Sequence, residues 1–180
     1  PGEDHRYLLN LAEACQQLGR QEAAARYYEH ILQKFPSVPK AAGIYNNLGL
    51  AYGVLGRDAD AEAAWGRALQ LDPAQASAGR NRAEALFQKG DYPRALESFR
   101  ALPGASGPEI QSRIAASLFQ LGRDEEALGT YKKLQKSLPF DAALGEGLIY
   151  QRRESPRPAE EPLRRALALA GPAQRPRVLG

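Results

Sequence analysis

Leu48-Gly49-Leu50-Ala51-Tyr52-Gly53-Val54-Leu55-Gly56-Arg57-Asp58, continued by Ala59-Asp60-Ala61-Glu62-Ala63-Ala64-Trp65-Gly66-Arg67-Ala68-Leu69-Gln70-Leu71-Asp72-Pro73, is the stretch that decides the fold. Leu48, Tyr52 and Leu55 recur at steps of four and three, which puts one apolar stripe on a helix. Ala61, Trp65, Ala68 and Leu69 make a second such stripe after the turn. Between them Leu55-Gly56-Arg57 supplies a glycine where the first helix must end in a left-handed residue. Pro73 then closes the second helix, because proline disfavours helix in the residue before it. The unit is a helical hairpin.

The same signature returns along the chain at spacings of 32 to 37 residues. Before the quoted stretch it reads Leu11, Ala12, Cys15, Gly19, Ala24, Tyr28, Ile31 and Pro36. After it come Arg82, Ala83, Leu86, Gly90, Ala95, Phe99 and Leu102, then Ile114, Ala115, Leu118, Gly122, Ala127, Tyr131, Leu134 and Pro139. A degraded copy follows as Gly147, Tyr150, Ala159, Leu163 and Ala166, with Glu154 in the place of the turn glycine.

This pattern resembles the tetratricopeptide repeat family, whose unit of about 34 residues carries a Leu-Gly pair, a Tyr, a turn Gly, an Ala, an aromatic, an Ala and a closing Pro at these offsets. The resemblance covers roughly residues 5–171. It implies an all-α fold, a right-handed α-solenoid of tandem hairpins, read here as a single solenoid over residues 1–180. The repeats fall at about 5–38, 42–75, 76–107, 108–139 and 140–171, and 172–180 form a tail. A family of binding scaffolds shares a fold and not a ligand.

A hydrophobic fraction of 43% and a charged fraction of 25% are those of a folded protein and exclude disorder of the whole chain. No apolar run approaches the roughly 20 residues of a spanning helix, and no signal-like segment opens the chain. The chain starts at Pro1 and holds no methionine, so a processed or excised segment is expected, and a lost signal, anchor or neighbouring domain stays open. Cys15, the single cysteine, is expected as a packed thiol. It points to a reducing, cytoplasmic compartment, with a bacterial periplasm or envelope open. Seven arginines against four glutamates between Gly145 and Gly180 account for the whole formal charge of +3. They read as a solvated helical face, with a docking patch for an acidic partner as the alternative.

Departures from the pattern carry local expectations. Three extra residues in Phe35-Pro36-Ser37-Val38-Pro39-Lys40 lengthen the first connection, and Pro103 to Pro108 shorten the second helix of the third repeat. Asp58, Asp91 and Asp124 stand where a carboxylate helps start a second helix. Pro162 places the start of the last long helix near itself. With Gly171-Pro172 and Pro176 following, Leu163, Leu167 and Leu169 are expected to be partly exposed.

In this family the first helices line a concave channel, so their non-packing residues are the candidate site. Asn10, Asn47 and Asn81 hold equivalent places in consecutive repeats, and an amide ladder can pair with the backbone of an extended peptide whatever its sequence. Arg80, Arg113 and Arg152 are expected to read acidic groups through bidentate contacts. Phe87, Phe119 and Leu50 are expected as apolar contacts, and Asn46 stands beside the ladder. The resemblance thus implies an extended peptide or helix of a partner protein, carrying acidic and hydrophobic residues. Two registers of the family's basic clamp for the acidic C-termini of heat-shock chaperones both fail, one at Leu9 and Glu13, the other at Leu50 and Glu109, which argues against a co-chaperone.

His5 and His30 are the only histidines and have no cysteine or second histidine at ligand spacing, so no metal is expected. No phosphate loop, nucleophile elbow or carboxylate pair is present, and neither catalysis nor a cofactor is expected. Acids such as Glu13, Glu84 and Glu109 interrupt any basic stripe, which disfavours nucleic acid. The remaining alternative is a self-associating platform that docks through an uncapped fifth repeat.

Overall fold

The structure, a computed structural model, describes residues 4–179. Eleven α-helices are found there, and no strand among the described residues. They group into two compact units that divide at the turn after Lys89.

In the first unit α1 (His5–Gln17) pairs with α2 (Gln21–Lys34), α3 (Ala41–Val54) pairs with α4 (Asp58–Leu71), and α5 (Ala76–Gln88) packs on both α3 and α4. Its core runs through Leu8, Ala12, Tyr28, Ile31, Ile44, Leu48, Trp65 and Ala68. Small residues let large ones in: a Cβ on Gly49 would stand 2.5 Å from Trp65 Nε1, so only glycine fits beneath that indole. In the long connection Val38 is buried, and Lys40, at φ +60°, turns the chain into α3. Cys15 is half-buried against this core.

The second unit holds α6 (Tyr92–Arg100), α7 (Pro108–Gln120), α8 (Asp124–Leu134), α9 (Pro139–Arg152), α10 (Pro156–Leu169) and the short α11 (Arg175–Leu179). α6 has nine residues against fourteen in α2 and α4, as the Pro103 to Pro108 segment predicts. Phe99, Leu118 and Ile149 are fully buried.

The turn chemistry is as expected. Gly19, Gly56, Gly90 and Gly122 all have φ between +71° and +84°. At three of these turns an N–H beyond the glycine reaches back to the helix, Arg20 to the Cys15 carbonyl (2.8 Å), Arg57 to Tyr52 (2.9 Å) and Arg123 to Leu118 (2.9 Å), satisfying an orphan carbonyl. Glu154 adopts the same left-handed geometry at φ +53°, and Ser155 N–H closes the motif on Tyr150 O at 3.0 Å. The turn therefore survives loss of its glycine.

All three aspartates help start their helices, in two ways, and one local expectation needs correction. Asp91 caps α6, accepting from Arg94 N–H at 3.4 Å, whereas Asp58 and Asp124 are first-turn acids facing the positive end of the dipole, with Arg57 and Arg123 in the cap position. Each of these arginines instead reaches a first-turn carboxylate, Asp60 or Glu126, at 2.7 Å. The last long helix begins at Pro156, not near Pro162, which lies buried inside it. A proline there forfeits one backbone hydrogen bond, and burying its ring offsets that loss. Leu163 is half-buried, while Leu167 and Leu169 are exposed as expected. The tail is not featureless, because Val178 on α11 packs on the cluster of Phe140, Leu144, Ala166 and Ala170.

Candidate functional site

The asparagines of the first unit converge, but on one another. Asn46 is buried on α3 at 7% exposure, and its Oδ1 accepts from Asn81 Nδ2 on α5 at 2.9 Å. Its own Nδ2 donates to Asn47 Oδ1 at 3.3 Å, and its carbonyl accepts from Trp65 Nε1 at 3.3 Å. Asn47 also hydrogen-bonds the Tyr28 hydroxyl, which donates to Gln16 Oε1 at 2.8 Å. Burial pushes the Tyr28 phenol up to about 12, and the Asn47 bond opposes that rise. A relay of neutral groups thus ties α3 to α2, α4 and α5. Of the asparagines expected at the site, Asn46 is an internal hub rather than a channel contact, Asn47 and Asn81 commit part of their amides to the relay, and Asn10 is exposed on α1 outside it.

Beside the relay, α3, α4 and α5 enclose a cleft of about 540 Å³. Leu50, Ala61, Trp65, Ala85 and Leu86 give it apolar walls, and Val54, 71% exposed, stands at its edge. Asn81 lines it too. Around it stand the carboxylates of Asp58, Glu62 and Glu84 with the cations Arg82 and Lys89. Arg82 meets Glu62 at 3.5 Å and Lys89 meets Asp58 at 3.9 Å, loose pairs that cost little to rearrange. Arg80 is exposed on α5, and Phe87 is half-buried there; neither lines the cleft.

In the second unit the expected contacts close on themselves. The Arg152 guanidinium lies 3.8 Å from the Phe119 ring centroid, donates to the Phe119 carbonyl at 2.6 Å and forms an ion pair with Asp124. Arg153 reaches Asp124 at 3.2 Å and Glu125 at 2.9 Å. Burial, then repulsion from Arg153, hold the Arg152 guanidinium below its ordinary value. Arg152 and Phe119 are therefore paired with each other on α9 and α7, and Arg152 already holds an acidic group of its own chain. Arg113 is exposed on α7, near enough to oppose the rise of Tyr131, which burial pushes up to about 12.

Sequence reasoning missed two features. Trp65 is a cleft wall as well as core. Glu146 is buried on α9, accepting from Gln135 Nε2 at 2.8 Å and Arg165 Nη2 at 3.4 Å. The signal for Glu146 was present: an acid in the register of Leu48 and Ile114, between two glycines that admit the Tyr131 ring and Leu163. Among the described residues no group of histidine, cysteine, aspartate and glutamate is placed to hold a metal, and no helix is long and apolar enough to cross a membrane.

Short hairpins with turn glycines, small residues under aromatics and a cleft among α3, α4 and α5 define a helical-repeat scaffold. Profiles described as Tetratricopeptide repeat match residues 5–33, 46–110 and 111–140. The chain belongs to the tetratricopeptide repeat family. Among solved structures it is similar to a tetratricopeptide repeat protein from Parabacteroides merdae, at 18% identity and TM-score 0.86, over 93% of this chain and 67% of that one. It is also similar to MamA from Desulfovibrio magneticus RS-1, at 18% identity and TM-score 0.83, over 93% and 96%. A third likeness is to YrrB, described as a TPR protein with an unusual peptide-binding site, at 21% identity and TM-score 0.79, over 98% and 90%. These likenesses establish the all-α tetratricopeptide solenoid fold. Proteins of this family are generally non-catalytic interaction scaffolds.

Proposed function

We propose that this chain is a non-enzymatic scaffold that binds an extended segment of a partner protein, with the cleft of the first unit as its main contact. The observation that carries the reading is the juxtaposition of Leu50, Val54 and Trp65 with the Asn81 amide in one open cleft. An apolar partner side chain fills such a cleft while an amide pairs with the partner backbone. Arg80, exposed on the same helix, suits an acidic group in the partner. The likeness to a protein with a peptide-binding site supports the same class of ligand.

The test is a selection of peptides from a displayed random library, with binding followed by the fluorescence of Trp65, the single tryptophan. Selected peptides are expected to share an apolar residue and to perturb Trp65. Val54→Glu changes an exposed side chain, so helicity should be retained while affinity falls at least about tenfold, from a charge buried without a partner. Peptides that bind Val54→Glu as well as the parent would remove the cleft from the site.

A further inference from the structure

We propose that the second unit carries a binding site of its own, a cleft among α6, α7 and α8 that takes a phosphate monoester. α6 stops at Arg100 after nine residues where α4 runs for fourteen, and residues 101–107 turn back in place of the missing turn. That connection is fixed by its own bonds. Gly104 is left-handed at φ +77°, Ala105 N–H reaches the Leu102 carbonyl at 3.0 Å, and Gly107 N–H reaches that of Gly104 at 2.8 Å. Gln111 Nε2 on α7 ties the connection down by donating to the Ala105 carbonyl at 2.7 Å. The cleft left beside it measures about 550 Å³. Ile114 and Leu118 of α7 give it an apolar floor, with Arg100 at the end of α6 and Lys133 on α8 as its two cations.

Charge selects the ligand. Glu126, the carboxylate in the cleft, is already held by Arg123 through two bonds of 2.7 and 2.8 Å. Arg100 stands off the same carboxylate at 3.9 Å, and Lys133 has no ion-pair partner among the described residues. With Glu126 neutralised by Arg123, the positive charges of Arg100 and Lys133 are left over. A phosphate monoester carries about −1.5 to −2 charges at pH 7 and three acceptor oxygens, so it matches both cations where a single carboxylate matches one. The Ser106 hydroxyl and the second N–H of the Gln111 amide, both lining the cleft, are donors for the remaining oxygens. The carbon side of the ester then lies on Ile114 and Leu118.

Gly129 points the same way by a different route. It sits in the interior of α8, where glycine weakens a helix, and it is exposed on the cleft. A Cβ there would meet nothing within 4 Å, so no packing inside the chain requires the glycine. Its bare backbone leaves room for a ligand against α8.

The test is calorimetric titration of the whole chain with phenyl phosphate, with phenylacetate as a carboxylate of similar size, and with the peptide Ala-Ala-phosphoserine-Ala-Ala. A phosphate probe should bind saturably near neutral pH, at least about tenfold tighter than phenylacetate, and should weaken as the monoester takes up its second proton below about pH 6. Arg100→Gln and Lys133→Gln should each weaken binding about three- to tenfold with the helical signal unchanged; should Arg100→Gln lose helicity, Lys133→Gln, at an exposed position, makes the same test. Gly129→Gln is expected to raise the melting temperature while lowering affinity, which a purely structural role for the glycine would not produce. Tighter binding of the peptide would place the monoester on a partner chain, and binding of phenyl phosphate alone would make the ligand a free phosphorylated compound. Absence of saturation by either phosphate probe up to about 10 mM would overturn the proposal. So would equal affinity for phenylacetate, or binding untouched by combining Arg100→Gln with Lys133→Gln.

Discussion

The two units build polar contacts of different kinds into the same hairpin frame. In the first the relay is neutral: Asn46, Asn47, Asn81, Tyr28 and Gln16 exchange hydrogen bonds beside an open apolar cleft. In the second the contacts are ionic: Glu146 takes Arg165, and Asp124 takes Arg152 and Arg153, with Arg152 laid across Phe119. Neutral amides can change partners at small cost, whereas a largely buried carboxylate such as Glu146 or Asp124 needs its half-exposed guanidinium partners to stay ionised there. The first unit is therefore the better receptor, and the second is better knitted to itself.

Truncating the cleft wall is the strongest way to break this contrast. Trp65→Ala should cost about 3 to 5 kcal/mol by emptying a packed aromatic site, read from urea unfolding followed by circular dichroism. A loss below about 1 kcal/mol would mean that Trp65 is a lid on the cleft and not part of the core.

Next in size comes a paired comparison of the two polar centres. Glu146→Ala should cost about 1 to 3 kcal/mol, because the Gln135 amide and the Arg165 guanidinium lose a buried acceptor. Asn46→Ala should cost less, about 1 to 2 kcal/mol, since the Asn47 and Asn81 amides can turn to water in the cleft. Reversal of that order would show the neutral relay to be the firmer of the two.

The smallest effect sharpens the comparison through pH. Burial is the main cause that pushes Tyr28 and Tyr52 of the first unit, and Tyr131 of the second, up to about 12. A raised pKa in the folded state means that the unfolded chain gives up the proton first. The contribution to stability is thus whole below about pH 10 and lost as pH rises towards 12. With two such tyrosines against one, the first unit should loosen at lower pH. Trp65 fluorescence, which reports only that unit, should change before the total ellipticity does. Coincident changes would tell against any difference between the units.

Much of the fold is legible in the sequence because its determinants are local. The turn glycines, the prolines that end helices and the three- and four-residue steps each act within one hairpin, and Glu154 occupies the left-handed turn position that the repeat assigns to it. Which of the candidate polar groups already have partners depends on neighbours distant in the chain. Three equivalent asparagines look like three rungs until Asn46, one place along the helix from Asn47, is brought against Asn81 from 35 residues away. Arg152 looks available for an acid until Asp124 and Phe119 arrive beside it.

What the sequence determined by itself is the helical repeat pattern and its turns, since backbone preference and apolar periodicity operate over a few residues. Only the tertiary structure decided which polar groups are spent and which surfaces stay open. The partner of an amide or a guanidinium is set by packing across the chain, and so is the exposure of Tyr7 or Val54, because both depend on which helix lies alongside and not on the residue itself.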